Sequence, residues 1–203
     1  MDIWGFDIAT LIKTVGLFGV WAIVFAESGL LIGFMLPGDS LLFTAGFLAS
    51  QGYLEIVPLA LGSFIAAILG DAVGYYFGKK TGKRIFKKEE GWFFHKDRLL
   101  EAKVFYDTYG PWAIILARFM PVVRTLAPIL AGVGEMPYRT FFVANVAGAV
   151  VWAVGLSLGG YYLGQLIPDA DRYLLPIIVV IIFTSFLPGI IRLTKNYYRK
   201  WLN

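Results

Sequence analysis

The chain contains no cysteine and a single histidine, His95, among its 203 residues. Disulfide stapling, thiol chemistry and cysteine-ligated metals are thereby excluded, and one imidazole is too few for a metal site. His95 stands beside Lys96 in a basic stretch and reads as a surface residue. Charge is also scarce, at 16% of residues, against roughly 25% in a soluble domain. No Gly-rich phosphate loop, zinc-ligand spacing or nucleophile elbow occurs. No cofactor is therefore expected, and the chain does not read as an enzyme. The first residues lack the basic region and small-residue cleavage site of a signal peptide. Residues 1–14 instead place Ile3, Trp4, Phe6, Ile8, Leu11 and Ile12 among polar neighbours, as an amphipathic helix at a membrane interface would.

What the chain has in place of charge is apolar length. Hydrophobic residues make up 58% and aromatics 17%, and the mean hydropathy is +0.70. A membrane-crossing helix needs ~20 mainly apolar residues. Residues 57–78, 138–164 and 173–191 meet that requirement. Two further apolar regions, 15–50 and 111–134, are interrupted. Pro37-Gly38-Asp39 cuts the first, and Arg118, Pro121, Arg124 and Pro128 punctuate the second. The leg after Pro37 has ~11 residues, which at 1.5 Å each cover roughly 17 Å of a ~30 Å hydrocarbon core. Both regions read as re-entrant hairpins, whose irregular backbone is tolerated at depth only under a cover of protein or in a watery cavity.

The chain also resembles itself. Gly19-Val-Trp-Ala-Ile-Val-Phe-Ala-Glu27 matches Gly110-Pro-Trp-Ala-Ile-Ile-Leu-Ala-Arg118, and Gly74-Tyr-Tyr-Phe-Gly78 matches Gly160-Tyr-Tyr-Leu-Gly164. Gly62 and Gly148 fall in register with the second match. The expected architecture is an all-α membrane protein with a duplicated unit of re-entrant hairpin plus transmembrane helix. Residues 1–14 form the interfacial helix, 15–78 the first repeat, 79–109 a basic loop, 110–164 the second repeat, and 173–203 an extra C-terminal helix with its tail. A hairpin returns to its own side and the next helix crosses once, so the second repeat is inverted, as in many secondary transporters. The loop carries nine Lys and Arg from Lys79 to Lys103, and the tail carries Arg192, Lys195, Arg199 and Lys200. The positive-inside rule puts both in the cytoplasm. The basic stretch is explained by the membrane, so no nucleic-acid partner is expected.

Ionisable groups inside apolar segments cost ~2.5–3.5 kcal/mol each on insertion scales. Glu27 and Asp39 lie in the first hairpin, Arg118 and Arg124 in the second. The basic pair suits a phosphate, because the guanidinium fork binds phosphate oxygens bidentately. The acidic pair suits proton uptake and release. The bland alternative is that Glu27–Arg118 or Asp39–Arg124 are ion pairs that merely pin the hairpins together. Asp71 either contacts the second hairpin or snorkels, and Asn145 is expected to hydrogen-bond a hairpin backbone. Gly62, Gly70, Gly74 and Gly78 favour close helix packing.

These residues carry a family resemblance. Glu27 with Pro37-Gly38-Asp39, then Gly70-Asp71-x-x-Gly74-Tyr75-x-x-Gly78, then Ala117-Arg118-Phe119-x-Pro121-x-x-Arg124-x-x-x-Pro128-x-x-x-Gly132, then Phe141-x-x-x-Asn145-x-x-Gly148-x-x-x-Trp152 closely resemble the DedA family. The similarity runs from about Leu17 to the C-terminus. One departure is Asp39, where many relatives carry Glu. The resemblance implies a multi-pass protein of the bacterial inner membrane with two facing re-entrant hairpins. It implies transport of undecaprenyl phosphate or phosphatidylethanolamine between leaflets, driven by the proton motive force. Glu27 and Asp39 become the proton-coupling pair, and Arg118 and Arg124 the phosphate-binding pair, with Asp71 and Asn145 in support. The expected partners are a phosphate-bearing lipid, protons and the bilayer, with a homodimer left open. A proton-coupled carrier of small solutes, a non-transporting scaffold and an enzyme acting on lipid phosphate are the rival classes.

Overall fold

The computed structural model describes residues 8–30, 33, 36–85 and 108–166. Residues 1–7, most of the expected basic loop with His95, and the expected C-terminal helix and tail at 173–203 lie outside the described residues. Within them all regular structure is helical. The order is α1 (Ile8–Gly29), α2 (Gly38–Ser50), α3 (Ile56–Ile85), α4 (Pro111–Ala117), α5 (Pro121–Val133), α6 (Tyr138–Ala149) and α7 (Gly155–Leu166). A π-helical turn, Val150–Val154, joins α6 to α7, and the three run on as a single rod.

Three of these helices are long and apolar enough to cross a membrane: Ile12–Gly29, Ile56–Thr81 and Tyr138–Leu166. The last two are the spans expected at 57–78 and 138–164. The first belongs to the interrupted region, and it is not one straight rod. Gly16 breaks the helical backbone (φ 61, ψ −162), a conformation that a residue without a Cβ adopts freely. Beyond Gly16 about 13 residues remain, or roughly 20 Å of helix. The break also lies next to the boundary expected at residue 14, between interfacial helix and first repeat.

Local chemistry accounts for the other breaks. Pro37 caps α2, and Pro111 and Pro121 stand in the first turns of α4 and α5, where a missing N–H costs nothing. Pro128 sits inside α5 and cannot donate to the carbonyl of Arg124, four residues back.

The burial pattern is the reverse of a soluble protein's. On α3 the residues Val57, Leu61, Ile65, Leu69 and Val73 recur every four positions and are all about half exposed or more. They form one apolar stripe, since such spacing keeps side chains on one helix face. The opposite face buries Ser63, Asp71 and Tyr75 with Gly70, Gly74 and Gly78. The rod from α6 to α7 repeats this, with Val143 and Val151 outside and Asn145, Trp152 and Ser157 inside. Apolar residues outward and polar residues inward fit a protein whose solvent is hydrocarbon.

Two close crossings hold the broken segments against the long helices. A Cβ at Gly46 of α2 would fall on the backbone of Ser157 in α7, and one at Gly160 on the carbonyl of Phe43. Where α5 crosses α3, a Cβ at Gly132 would fall on the carbonyl of Tyr75, and one at Gly78 on the carbonyl of Ile129. Small residues at such points let backbones touch, which drives association where no hydrophobic effect operates. Gly46→Ala is therefore expected to destabilise by about 1–3 kcal/mol. Gly159→Ala, with nothing within 4 Å of the added methyl, is expected to be neutral or stabilising by up to about 1 kcal/mol. Thermal unfolding in detergent compares the two.

Candidate functional site

The two breaks bring charged residues to one place. Glu27 lies in the last turns of α1 and Asp39 in the first turn of α2. Arg118 caps the C-terminus of α4, and Arg124 lies in the first turn of α5. A carboxylate at the N-terminus of α2 is favoured by the helix dipole, whereas a cation in the first turn of α5 is not. Arg124 therefore needs a counter-charge for two reasons: its burial and its position on the helix.

It has two. Arg124 Nη1 donates to Asp39 Oδ1 at 2.6 Å, and Nη2 donates to Glu27 Oε1. Glu27 is fully buried, and a Cβ at Gly38 would fall on its carboxylate, so a side chain there would displace that carboxylate from its place against Arg124. Arg118 has different partners. Its Nη2 donates to Asp71 Oδ2 and to Asn145 Oδ1, the latter at 2.5 Å. Asn145 Nδ2 in turn donates to the carbonyl of Ile68 at 3.2 Å. Arg124 is thus bound to the first broken segment, while Arg118 is bound to α3 and α6.

These pairings change the expected ones. Asp39–Arg124 forms, but Glu27 takes Arg124 and not Arg118. Asp71 does not snorkel; it meets the second broken segment through Arg118. Asn145 binds the backbone of α3, not of a hairpin, and reaches the hairpin only through the Arg118 side chain. The reason in each case is depth: a side chain pairs with whatever lies level with it, and chain order does not reveal that.

Trp152 is the residue to which sequence reasoning assigned no role. It lies in the π-helical turn, 3% exposed. Its indole N–H donates to Asp39 Oδ1 at 2.7 Å. Its ring faces Arg124 with 4.8 Å from Cζ to ring centroid, and Arg118 at 5.6 Å, both within cation–π range. The signal that could have found it is its place on the buried stripe with Asn145 and Gly148, at a helical turn of a kind common at functional sites.

Three carboxylates thus face two guanidiniums. With all of them ionised the cluster carries one surplus negative charge. Glu27 Oε2 and Arg124 Nε have no hydrogen-bond partner among the described residues. Between the arginines is a cavity of ≈ 10 Å³, lined by Ser28, Asp71, Ile114, Arg118, Arg124, Ala127 and Pro128. That is room for about one water molecule. The side chain of Asp39, 21% exposed, is the most open member of the cluster. No group of three His, Cys, Asp or Glu that could hold a metal occurs among the described residues.

The VTT domain family matches residues 36–162. The chain is 41% identical over 194 residues to protein DedA of Escherichia coli (strain K12), covering 92% of this chain and 88% of that protein. It is 40% identical over 175 residues to an uncharacterized membrane protein of Mycobacterium leprae (strain TN), covering 86% and 78%. It is 34% identical over 181 residues to the inner membrane protein YghB of E. coli (strain K12), covering 84% and 80%. No solved structure matches. With the domain match spanning over half of the chain and a relative 41% identical over 92% of it, this membrane protein belongs to the VTT-domain, or DedA, family.

Proposed function

We propose that this protein moves a lipid with a phosphate-bearing headgroup between leaflets, coupled to protons. The carrying observation is Arg124, a buried guanidinium between two broken apolar segments, held by two carboxylates and an indole ring. A carboxylate and a phosphate present similar oxygens to a guanidinium. Glu27 and Asp39 therefore occupy the position a phosphate would take, and they must yield it for a headgroup to bind.

Charge balance supplies the coupling. The cluster already has one negative charge too many, and an entering phosphate adds one or two more. Such a surplus in a desolvated site is costly. Protonation of Glu27 and Asp39 removes it and releases Arg124 in the same step. Glu27 Oε2, to which nothing donates among the described residues, is the atom suited to hold the first proton. Arg118, tied to Asp71 and Asn145, serves more as an anchor of the second segment to the long helices, and Trp152 keeps Arg124 oriented while its carboxylates change. The cavity is smaller than a headgroup, so binding requires the two segments to part.

The short legs and buried charged tips support the reading of both segments as re-entrant hairpins in an inverted repeat. The charge bias of 79–109 and the tail supports their cytoplasmic placement. Undecaprenyl phosphate, the cargo implied by family resemblance, carries no cation, so both carboxylates must be neutral when it binds. Phosphatidylethanolamine is favoured by a different feature: its ammonium would pair with Asp39, the most open carboxylate, and needs fewer protons.

The test is leaflet exchange of each labelled lipid in vesicles, with and without a pH gradient. Exchange of neither would overturn the lipid reading, and exchange indifferent to pH would overturn the coupling. Arg124→Lys keeps the charge and loses the fork; it is expected to slow exchange about tenfold or more, since charge-assisted hydrogen bonds are worth ~1.5–3 kcal/mol. Glu27→Gln should weaken the response of exchange to pH, and Glu27→Gln with Asp39→Asn should abolish it. Trp152→Phe, which keeps a ring under Arg124, should retain more exchange than Trp152→Leu. Arg118→Ala is expected to act on stability instead, lowering it by about 3–5 kcal/mol by leaving Asp71 buried and unpaired.

A further inference from the structure

We infer that the two broken segments travel together along the long helices by one helical turn, between two registers related by the internal repeat. The inference rests on the inverted-repeat reading above. Gly46 and Gly132, Gly62 and Gly148, Gly74 and Gly160, and Gly78 and Gly164 stand at one common spacing. So do Phe43 and Ile129, Ser50 and Met136, Asp71 and Ser157, and Tyr75 and Tyr161. Two repeats in the same conformation would make equivalent contacts at these positions.

They do not, and the difference is uniform. Gly46 meets the backbone of Ser157, so its counterpart Gly132 should meet Asp71; it meets Tyr75, four residues further on. Gly160 meets the carbonyl of Phe43, so Gly74 should meet the carbonyl of Ile129; Gly78 does so instead, again four residues further on. Four residues of helix are about 6 Å. The first legs agree in sense. Gly62 packs on the ring of Trp21, but Gly148 packs on Ile115 and Arg118, and Trp112, the counterpart of Trp21, is left 67% exposed. The second segment therefore sits one turn nearer its own end of the long helices than the first segment does.

In an inverted repeat, the structure with this asymmetry reversed makes the same kinds of contact with the repeats exchanged. Because the two segments enter from opposite sides, reversal moves both in the same direction. They can travel as one body, joined through Glu27, Arg124 and Asp39 when empty and through the headgroup when loaded, and the headgroup site moves with them. One-turn ratchets between packed helices are a known form of switching. The glycines fit a two-register design. A Cβ at Gly74 would have only ordinary contacts at 3.4 and 3.5 Å in this register, yet Gly74 would face the carbonyl of Ile129 in the other. Gly164 now meets only side chains of Ser50 and Phe47, and would face the carbonyl of Phe43. The bond from Tyr75 OH to the Met136 carbonyl, at 2.5 Å, and those of Arg118 to Asp71 and Asn145 hold the present register.

The experiment uses the absence of native cysteine. Ser28→Cys puts one thiol in the cavity between the arginines, and its labelling by a membrane-impermeant thiol reagent is measured from each side of vesicles with the protein in known orientation. Gly78→Ala clashes with backbone in the present register only, and Gly74→Ala, whose added methyl has only ordinary contacts now, clashes in the reversed register only. The two substitutions should shift the side-to-side labelling ratio in opposite directions, by about fivefold or more each. A shift in the same direction, no shift, or no labelling from either side overturns the inference. Should either alanine variant fail to fold, Ser50→Cys with Gly164→Cys locks the present register by a disulfide. Oxidation should then confine labelling to one side and reduction should restore both, and labelling indifferent to oxidation overturns the inference. Labelling needs no cargo, so a failed lipid-exchange test and a failed register test are separate results.

Discussion

An ionised group has no stable place in hydrocarbon unless another charge or a hydrogen bond meets it there. Arg124 is the group on which this constraint bears hardest, because it is buried and sits at the unfavourable end of its helix dipole. Its needs account for much of the surrounding architecture. The chain breaks at Pro37 so that Glu27 and Asp39 can both reach it. Gly38 leaves the space that the Glu27 carboxylate fills against Arg124. The π-helical turn brings Trp152 under the guanidinium and its N–H to Asp39. Take away the charge on Arg124 and each of these features loses its purpose.

The remainder of the fold follows from the solvent. Lipid tails are as apolar as leucine, so apolar side chains gain little by leaving them. The long helices therefore turn valine and leucine outward and pack through glycine, alanine and serine. Such contacts are close but smooth. A helix seated on glycine can take a second register one turn away at small cost, whereas interlocked large side chains would resist the move. The same composition that lets the broken segments dock also lets them slide.

The two arginines, similar in sequence context, have different surroundings. Arg118 is enclosed by partners on the long helices, and Arg124 by partners on the other broken segment. The seam between the segments passes through the ion pairs of Arg124. A ligand able to compete with carboxylates for a guanidinium would act at that seam, and a proton able to neutralise a carboxylate would act there too. On the proposed function, the proton frees Arg124 from a carboxylate and the ligand takes the vacated place, which requires no long-range relay.

Much of this was legible in the sequence because it depends on local chemistry. Apolar run length sets membrane character, proline and glycine set the breaks at 37 and 121, and the cost of intramembrane charge marks Glu27, Asp39, Arg118 and Arg124 as one group. The partner of each charge was not legible. A side chain reaches only a few ångströms, and a one-turn difference in register carries it past one neighbour to the next. Glu27 therefore met Arg124 and not Arg118, Asp71 became the partner of Arg118, and Trp152, present in the family motif without a role, entered the site. The sequence by itself determined a helical membrane protein with two charged breaks. Which charges touch was decided by the relative depth of the helices, and depth is a property of the packed assembly that no segment carries alone.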